Sequence, residues 1–166
     1  MHKFTRTLAA AAAGMAIGTA ALAQSYDPKA TIADLDARLA KIGAPSIQGT
    51  DTVAGKDVPA IYFGERKINN NFDVVDAVRK AHSATATVFV KHGDEFVRVS
   101  TNVLTPEGKR GVGTQLARAK AYEAMSKGER FCGVVDVLGT QLYWCYQPIK
   151  DGAGKVIGLT YVGYNK

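Results

Sequence analysis

The sequence predicts an α+β domain in which a long helix precedes a five-stranded antiparallel sheet and a helical insertion interrupts that sheet. Three observations carry this. Between Asp27 and Gly43 the apolar residues recur at helical spacing. After Thr85 they alternate with polar residues in five separate runs. Between the second and third of those runs lies a glycine-punctuated loop followed by a short helical pattern.

The chain begins with an address. Lys3 and Arg6 form a basic start, Leu8 to Leu22 is an apolar run, and Ala21-Leu22-Ala23 supplies small residues for cleavage before Gln24. The run is short for a membrane span, and an uncleaved anchor is the alternative. The expected division is a signal peptide over 1–23, a helix and linker over 24–57, and a domain over 58–166. The mature chain is expected in the bacterial periplasm, with no insertion into the membrane.

The helix opens at Asp27-Pro28, presents Ile32, Leu35, Leu39 and Ile42 on one side, and stops at Gly43-Ala44-Pro45. Core packing accounts for this stripe; contact with a partner helix is the other reading. Ser46 to Lys56 reads as a connection without periodicity, and Val58 to Phe63 as a short strand. Asn69-Asn70-Asn71 is a turn cluster. A second helix follows, capped by Asn71 or Asp73, with Val74, Val75 and Val78 inward and its end near His82.

Thr85 to Lys91 and Glu95 to Asn102 form a hairpin about His92-Gly93-Asp94. Val103 to Gly113 is a loop, and Leu116 to Met125 a helix with Thr114 as its cap. Three strands close the chain: Arg130 to Val137, Gln141 to Pro148 and Lys155 to Tyr164. Leu138-Gly139 and Asp151 to Gly154 join them. Two strands, a helical insertion and three more strands is the order of a PAS-type sheet, with the first helix covering one face and the insertion the other.

Composition narrows the function. The chain holds 21 Lys+Arg and 15 Asp+Glu. Without Lys3 and Arg6 the count is 19 against 15, a net charge of +4. These charges are scattered, and no basic stripe interleaved with aromatics marks a nucleic-acid surface. Beyond the leader only His82 and His92 remain, too few for a metal site. No nucleophile and base can be paired from spacing, so no enzyme is predicted, and nothing calls for a cofactor.

The two cysteines admit a geometric test. If Leu138-Gly139 is a two-residue turn, Val137 pairs with Thr140, and continuing down the ladder sets Cys132 opposite Cys145. That separation suits a disulfide, which an oxidising compartment favours. Buried free thiols are the alternative.

Binding chemistry centres on the strand Phe96 to Thr101. Its alternation places Arg98 and Ser100 on one face with Phe96, and Val97 and Val99 on the other. A guanidinium on a covered face needs an anion, which either a ligand or the protein itself supplies. Arg110 lies in the loop over the same face. Phe89, Trp144 and Tyr146 are candidate walls, Tyr122 on the inserted helix a candidate cap, and Asp136 a partner for an amine or an arginine.

Several stretches together resemble the single-Cache sensor domains of the Cache three–Cache two fusion type. They are Asn71 to Asp76, Ala86 to Phe89, Phe96 to Asn102, Gly113-Thr114, Tyr146 to Asp151 and Gly154 to Gly158. The match runs in order from about Val58 to Tyr164. The resemblance implies a PAS-like fold with a pocket on the sheet face. The strand Phe96 to Asn102 and the loop Lys109 to Thr114 would border that pocket. It also implies a small organic acid or amino acid as ligand. Such domains commonly adjoin membrane spans and a signalling module. None follows the last strand here, so the expectation is a free-standing domain that presents a carboxylate-bearing metabolite to a membrane receptor or kinase. A ligand-free protein-interaction module is the alternative.

Overall fold

The computed structural model describes residues 26–137 and 140–165. The residues read as a leader, and the turn Leu138-Gly139, lie outside them.

Helix α1 spans Pro28–Ile42. Asp27 caps it: one carboxylate oxygen accepts from the backbone N–H of Lys29 and Ala30, each at 3.0 Å, ahead of a proline that needs no partner. Thr31, Ile32, Leu35 and Leu39 are buried, three of the four apolar positions that the spacing predicts plus one polar residue, and the fourth, Ile42, is partly buried at the helix end. The Thr31 hydroxyl lies 2.5 Å from that of Tyr164 and so finds a partner on the sheet. The helix leaves through Gly43, where a Cβ would stand 2.5 Å from the Gly64 Cα. Two glycines let the helix exit and a strand end touch.

The stretch expected as a connection is a strand. β1 (Pro45–Val53) pairs antiparallel with β2 (Lys56–Phe63), and β2 with the two-residue β3 (Arg66–Lys67). Of β1 only Val53 is buried, so it lacks the apolar alternation that reveals a strand. The buried Asn69 side chain ties the turn to this sheet, accepting from Ile61 N at 2.9 Å and donating to the Pro59 carbonyl at 3.1 Å.

α2 covers Asp73–His82, close to its expected span. Asn71 accepts from Asp73 N at 3.2 Å, which makes it the side chain nearest to a cap. The five-stranded sheet follows: β4 (Thr85–His92), β5 (Glu95–Thr101), β6 (Phe131–Val137), β7 (Thr140–Lys150) and β8 (Val156–Asn165). Its spatial order is β5-β4-β8-β7-β6, every pair antiparallel. One face packs on α1, α2 and the small sheet, through Val88, Val90, Val97, Val99 and Val162. The other carries Phe89, Phe96 and Leu159 beneath the insertion.

The inserted helix is shorter than predicted. α3 runs Lys120–Ser126, and Thr114 is not its cap. Residues 113–116 are spent on the open edge of β5 instead. Arg98 N donates to the Thr114 carbonyl at 2.8 Å, Gly113 N to Arg98 O at 2.8 Å and Leu116 N to Phe96 O at 2.9 Å. An edge strand that would otherwise expose its backbone is thereby covered. At the other margin Cys132 faces Cys145 with Cα atoms 4.1 Å apart, and the two are joined in a disulfide.

Candidate ligand-binding groove

The site grows from β7, which lies between β8 and the edge strand β6. Leu142, Trp144 and Tyr146 alternate onto the insertion side, and the register places Tyr146 between Phe131 of β6 and Tyr161 of β8. Trp144 stands between two glycines, Gly133 and Gly163. A Cβ on Gly133 would sit 2.6 Å from the Trp144 ring, and one on Gly163 would sit 2.1 Å from the Tyr161 hydroxyl. Both large side chains therefore lie down across the sheet in space that any other residue would fill. The result is a chain of rings in edge-on or tilted contact: Phe131 to Trp144 at 5.0 Å, Trp144 to Tyr146 at 5.8 Å and Tyr146 to Tyr161 at 4.9 Å.

Over this floor the start of the inserted helix, Ala119 to Ala121, forms the second wall. The space between is a groove of ≈ 530 Å³, bounded also by Gly133 and Val134 at the sheet margin. That volume falls within the range of small-molecule sites.

Arg98 lies on the same side of the sheet. Its guanidinium carbon is 5.0 Å from the centre of the Phe89 ring, in cation–π contact. Nη1 donates to the Thr114 hydroxyl at 2.6 Å, and that hydroxyl donates to the Gly111 carbonyl at 2.7 Å. Gly111 passes so close that a Cβ there would be 3.4 Å from Nη1. The Nε of Arg98 is buried and has no hydrogen-bond partner. Among the described residues Arg98 forms no ion pair with any acid. Burial lowers its pKa from the usual arginine value, while Tyr146 and Tyr161 act in the opposite sense. Burial likewise raises Tyr146 to about 12, with Tyr161 adding to the shift and Arg98 opposing it. Both tyrosines line the groove, so the guanidinium, which is not itself among the lining residues, stands within electrostatic reach of it.

Arg98, Phe89, Trp144 and Tyr146 thus gather on one face. The remaining candidates go elsewhere. Ser100 leaves the face because the pairing steps from Phe89↔Arg98 to Val88↔Ser100, a bulge that leaves Val99 unmatched. Its hydroxyl donates to the Asn71 carbonyl at 2.6 Å. Arg110 spends its donors inside the protein: its two terminal nitrogens reach the two Asp76 oxygens, each at 2.8 Å, and Nη1 also reaches Thr101 O at 2.8 Å. It stacks at 4.4 Å on Phe72. Tyr122 caps nothing; it donates to the Asp94 carbonyl at 2.5 Å and packs edge-on against Phe96. The strand position of Asp136 opposite Gln141 is described, but its side chain lies outside the description.

Sequence reasoning overlooked Tyr161 and Lys120, which also line the groove. The signal for Tyr161 was the pairing of β8 with β7, which puts it across from Tyr146. Among the described residues no cluster of His, Cys, Asp and Glu is suited to a metal, and no helix is long and apolar enough to cross a membrane.

A family model described as the Cache 3/Cache 2 fusion domain matches residues 5–166. Among solved structures the chain is similar to the crystal structure of the E. coli DcuS sensor domain, with 22% sequence identity and a TM-score of 0.37. That alignment covers 54% of this chain and 62% of the other, so this chain spans less than two thirds of that structure. No curated protein matches the chain.

Proposed function

The chain belongs to the Cache 3/Cache 2 fusion family, whose members are extracytoplasmic sensor modules, and from that premise we propose that it binds a small carboxylate-bearing metabolite at Arg98. The observation that supports this reading is the buried Arg98 Nε without a partner. Burying a cation is costly unless an anion compensates, and no side chain of the described residues does so. A carboxylate is the anion that a guanidinium fork receives best, through two parallel hydrogen bonds. Binding rather than catalysis fits the family, and no nucleophile–base pair borders the groove.

In this reading residues 1–23 export the chain and are removed, and the mature protein works in the periplasm. It carries its ligand state to a partner, either a membrane receptor or a kinase. A thermal-shift panel of organic acids and amino acids tests the proposal. A ligand at about 100 times its dissociation constant adds about 2.7 kcal/mol of stability. The expected result is stabilisation by at least one carboxylate, lost in Arg98→Ala. Stabilisation by none, or undiminished stabilisation of Arg98→Ala, would overturn it.

A further inference from the structure

We infer that the carboxylate this groove accepts is carried on a planar aromatic ring, so that aryl monocarboxylates bind in preference to aliphatic di- and tricarboxylates and to zwitterionic amino acids. The inference rests on the carboxylate reading above and deepens it, because the cation fixes only one end of the ligand. The rest of the ligand must lie on the floor, and the floor is aromatic. Phe131, Trp144, Tyr146 and Tyr161 form a continuous run of ring contacts at 4.9 to 5.8 Å. Gly133 and Gly163 keep the space beneath Trp144 and Tyr161 clear, so two of those rings lie along the sheet. A surface of tilted ring faces and edges of this kind gains most from another aromatic ring, by offset or edge-to-face stacking.

The same surface works against the other acids. Ring faces carry the negative end of the aromatic quadrupole, so a second carboxylate lying on them is repelled while losing its water. Among the described residues Lys120 is the one cation lining the groove itself, and it is exposed at the rim, where a hydrated ammonium contributes little. An amino acid has the opposite problem. Its ammonium needs an acceptor near Arg98, and no described residue lining the groove is acidic. Quaternary ammonium ligands, which suit aromatic surfaces, are disfavoured by Arg98 and Lys120 together. The Tyr146 hydroxyl remains a donor that a ring-bound oxygen could use.

The experiment uses Trp144, the single tryptophan of the chain, as its own reporter. The mature protein is titrated with phenylacetate, its neutral amide phenylacetamide, succinate, citrate and phenylalanine, and the tryptophan emission is followed. Phenylacetate is expected to shift or quench the emission saturably. Phenylacetamide should bind about tenfold or more weakly, because it lacks the charge that strengthens bonds to a guanidinium. Arg98→Gln should weaken phenylacetate by a similar factor. If that variant does not fold, the acid–amide comparison on the unaltered protein carries the same information. Succinate, citrate or phenylalanine binding as tightly as phenylacetate, with loss in Arg98→Gln, overturns the aromatic preference and leaves the carboxylate site standing. Phenylacetate and its amide binding equally overturns both readings, and so does no response to any of the five.

Discussion

Asp36, on the face of α1 that meets the sheet, is predicted to make the protein less stable as pH rises through the weakly acidic range. Burial raises its pKa from 3.8 to about 6, against the hydrogen bond from the buried Thr160 hydroxyl at 2.7 Å and the attraction of Arg130. The folded state therefore holds a proton over an interval in which the unfolded chain has lost it. A raised carboxyl pKa contributes stability that is fully present below the unfolded value and is lost as pH climbs through the folded one. A shift from 3.8 to about 6 corresponds to a ceiling of about 3 kcal/mol at 1.36 kcal/mol per unit. Screening by the water that still reaches the group brings this to about 2 kcal/mol. Asp36→Asn removes the titration and keeps an oxygen for the Thr160 hydroxyl to donate to. Urea unfolding at pH 4 and pH 7.5 should find the two proteins alike at the lower pH, and the variant ahead by about 2 kcal/mol at the higher. Because every other titrating group is common to both, the difference isolates this carboxyl. Parallel stability curves across that window would refute the reasoning.

Removing the disulfide by Cys132→Ala with Cys145→Ala should cost about 3 kcal/mol for a bridge spanning 13 residues, read from urea midpoints; no change would mean that the hairpin is held by pairing alone. Thiol titration of the unfolded, unreduced protein should find no free thiol. Arg110→Met and Asp76→Asn should show a coupling of about 1 kcal/mol in a double-mutant cycle, since the pair is half-exposed, with ligand affinity unchanged; a loss of affinity would return Arg110 to the site. Arg98→Met should leave the ligand-free protein as stable or up to about 1 kcal/mol more stable, because it removes a half-buried cation without breaking an ion pair, and calorimetry without ligand checks the sign.

Register was the part of this fold most open to reading in advance. A two-residue turn and a period of two leave no freedom, so the pairing of Cys132 with Cys145 follows from counting. Counting failed at Ser100 because one unpaired residue, Val99, breaks the parity, and nothing local to Val97-Arg98-Val99-Ser100 announces it. The Val99 carbonyl is bonded by Asn70 N at 2.9 Å, a contact from a turn far back in the chain. β1 stayed hidden because a strand that buries only Val53 has no amphipathic pattern. The first turns expected of α3 were lost to the edge of β5, where a tertiary demand for backbone partners outweighs helix propensity. Trp144 owes its orientation to Gly133 on the neighbouring strand, a dependence that appears only once the strands are paired, while Tyr161 lies over Gly163 two residues along its own strand.

The two candidate arginines show why the sign of a site could not be read from residue type. Arg98 was the first candidate and Arg110 the second, and in the structure each stacks on a phenylalanine, Arg98 on Phe89 and Arg110 on Phe72. What separates them is a carboxylate, Asp76, that α2 delivers to Arg110 and that nothing among the described residues delivers to Arg98. The sheet places Arg98 one strand in sequence from the insertion but beside β8 and β7 in electrostatic reach, where its neighbours are Tyr146 and Tyr161. A chain needing only to fill that space would do so with an apolar side chain at lower cost. Retaining a guanidinium there, held at one nitrogen by Thr114 and leaving Nε unmet, makes sense when the missing anion arrives from outside. Thr114, which holds that nitrogen, belongs to the segment that closes the edge of β5, so under the proposed function a carboxylate at Arg98 would be coupled to the order of that edge.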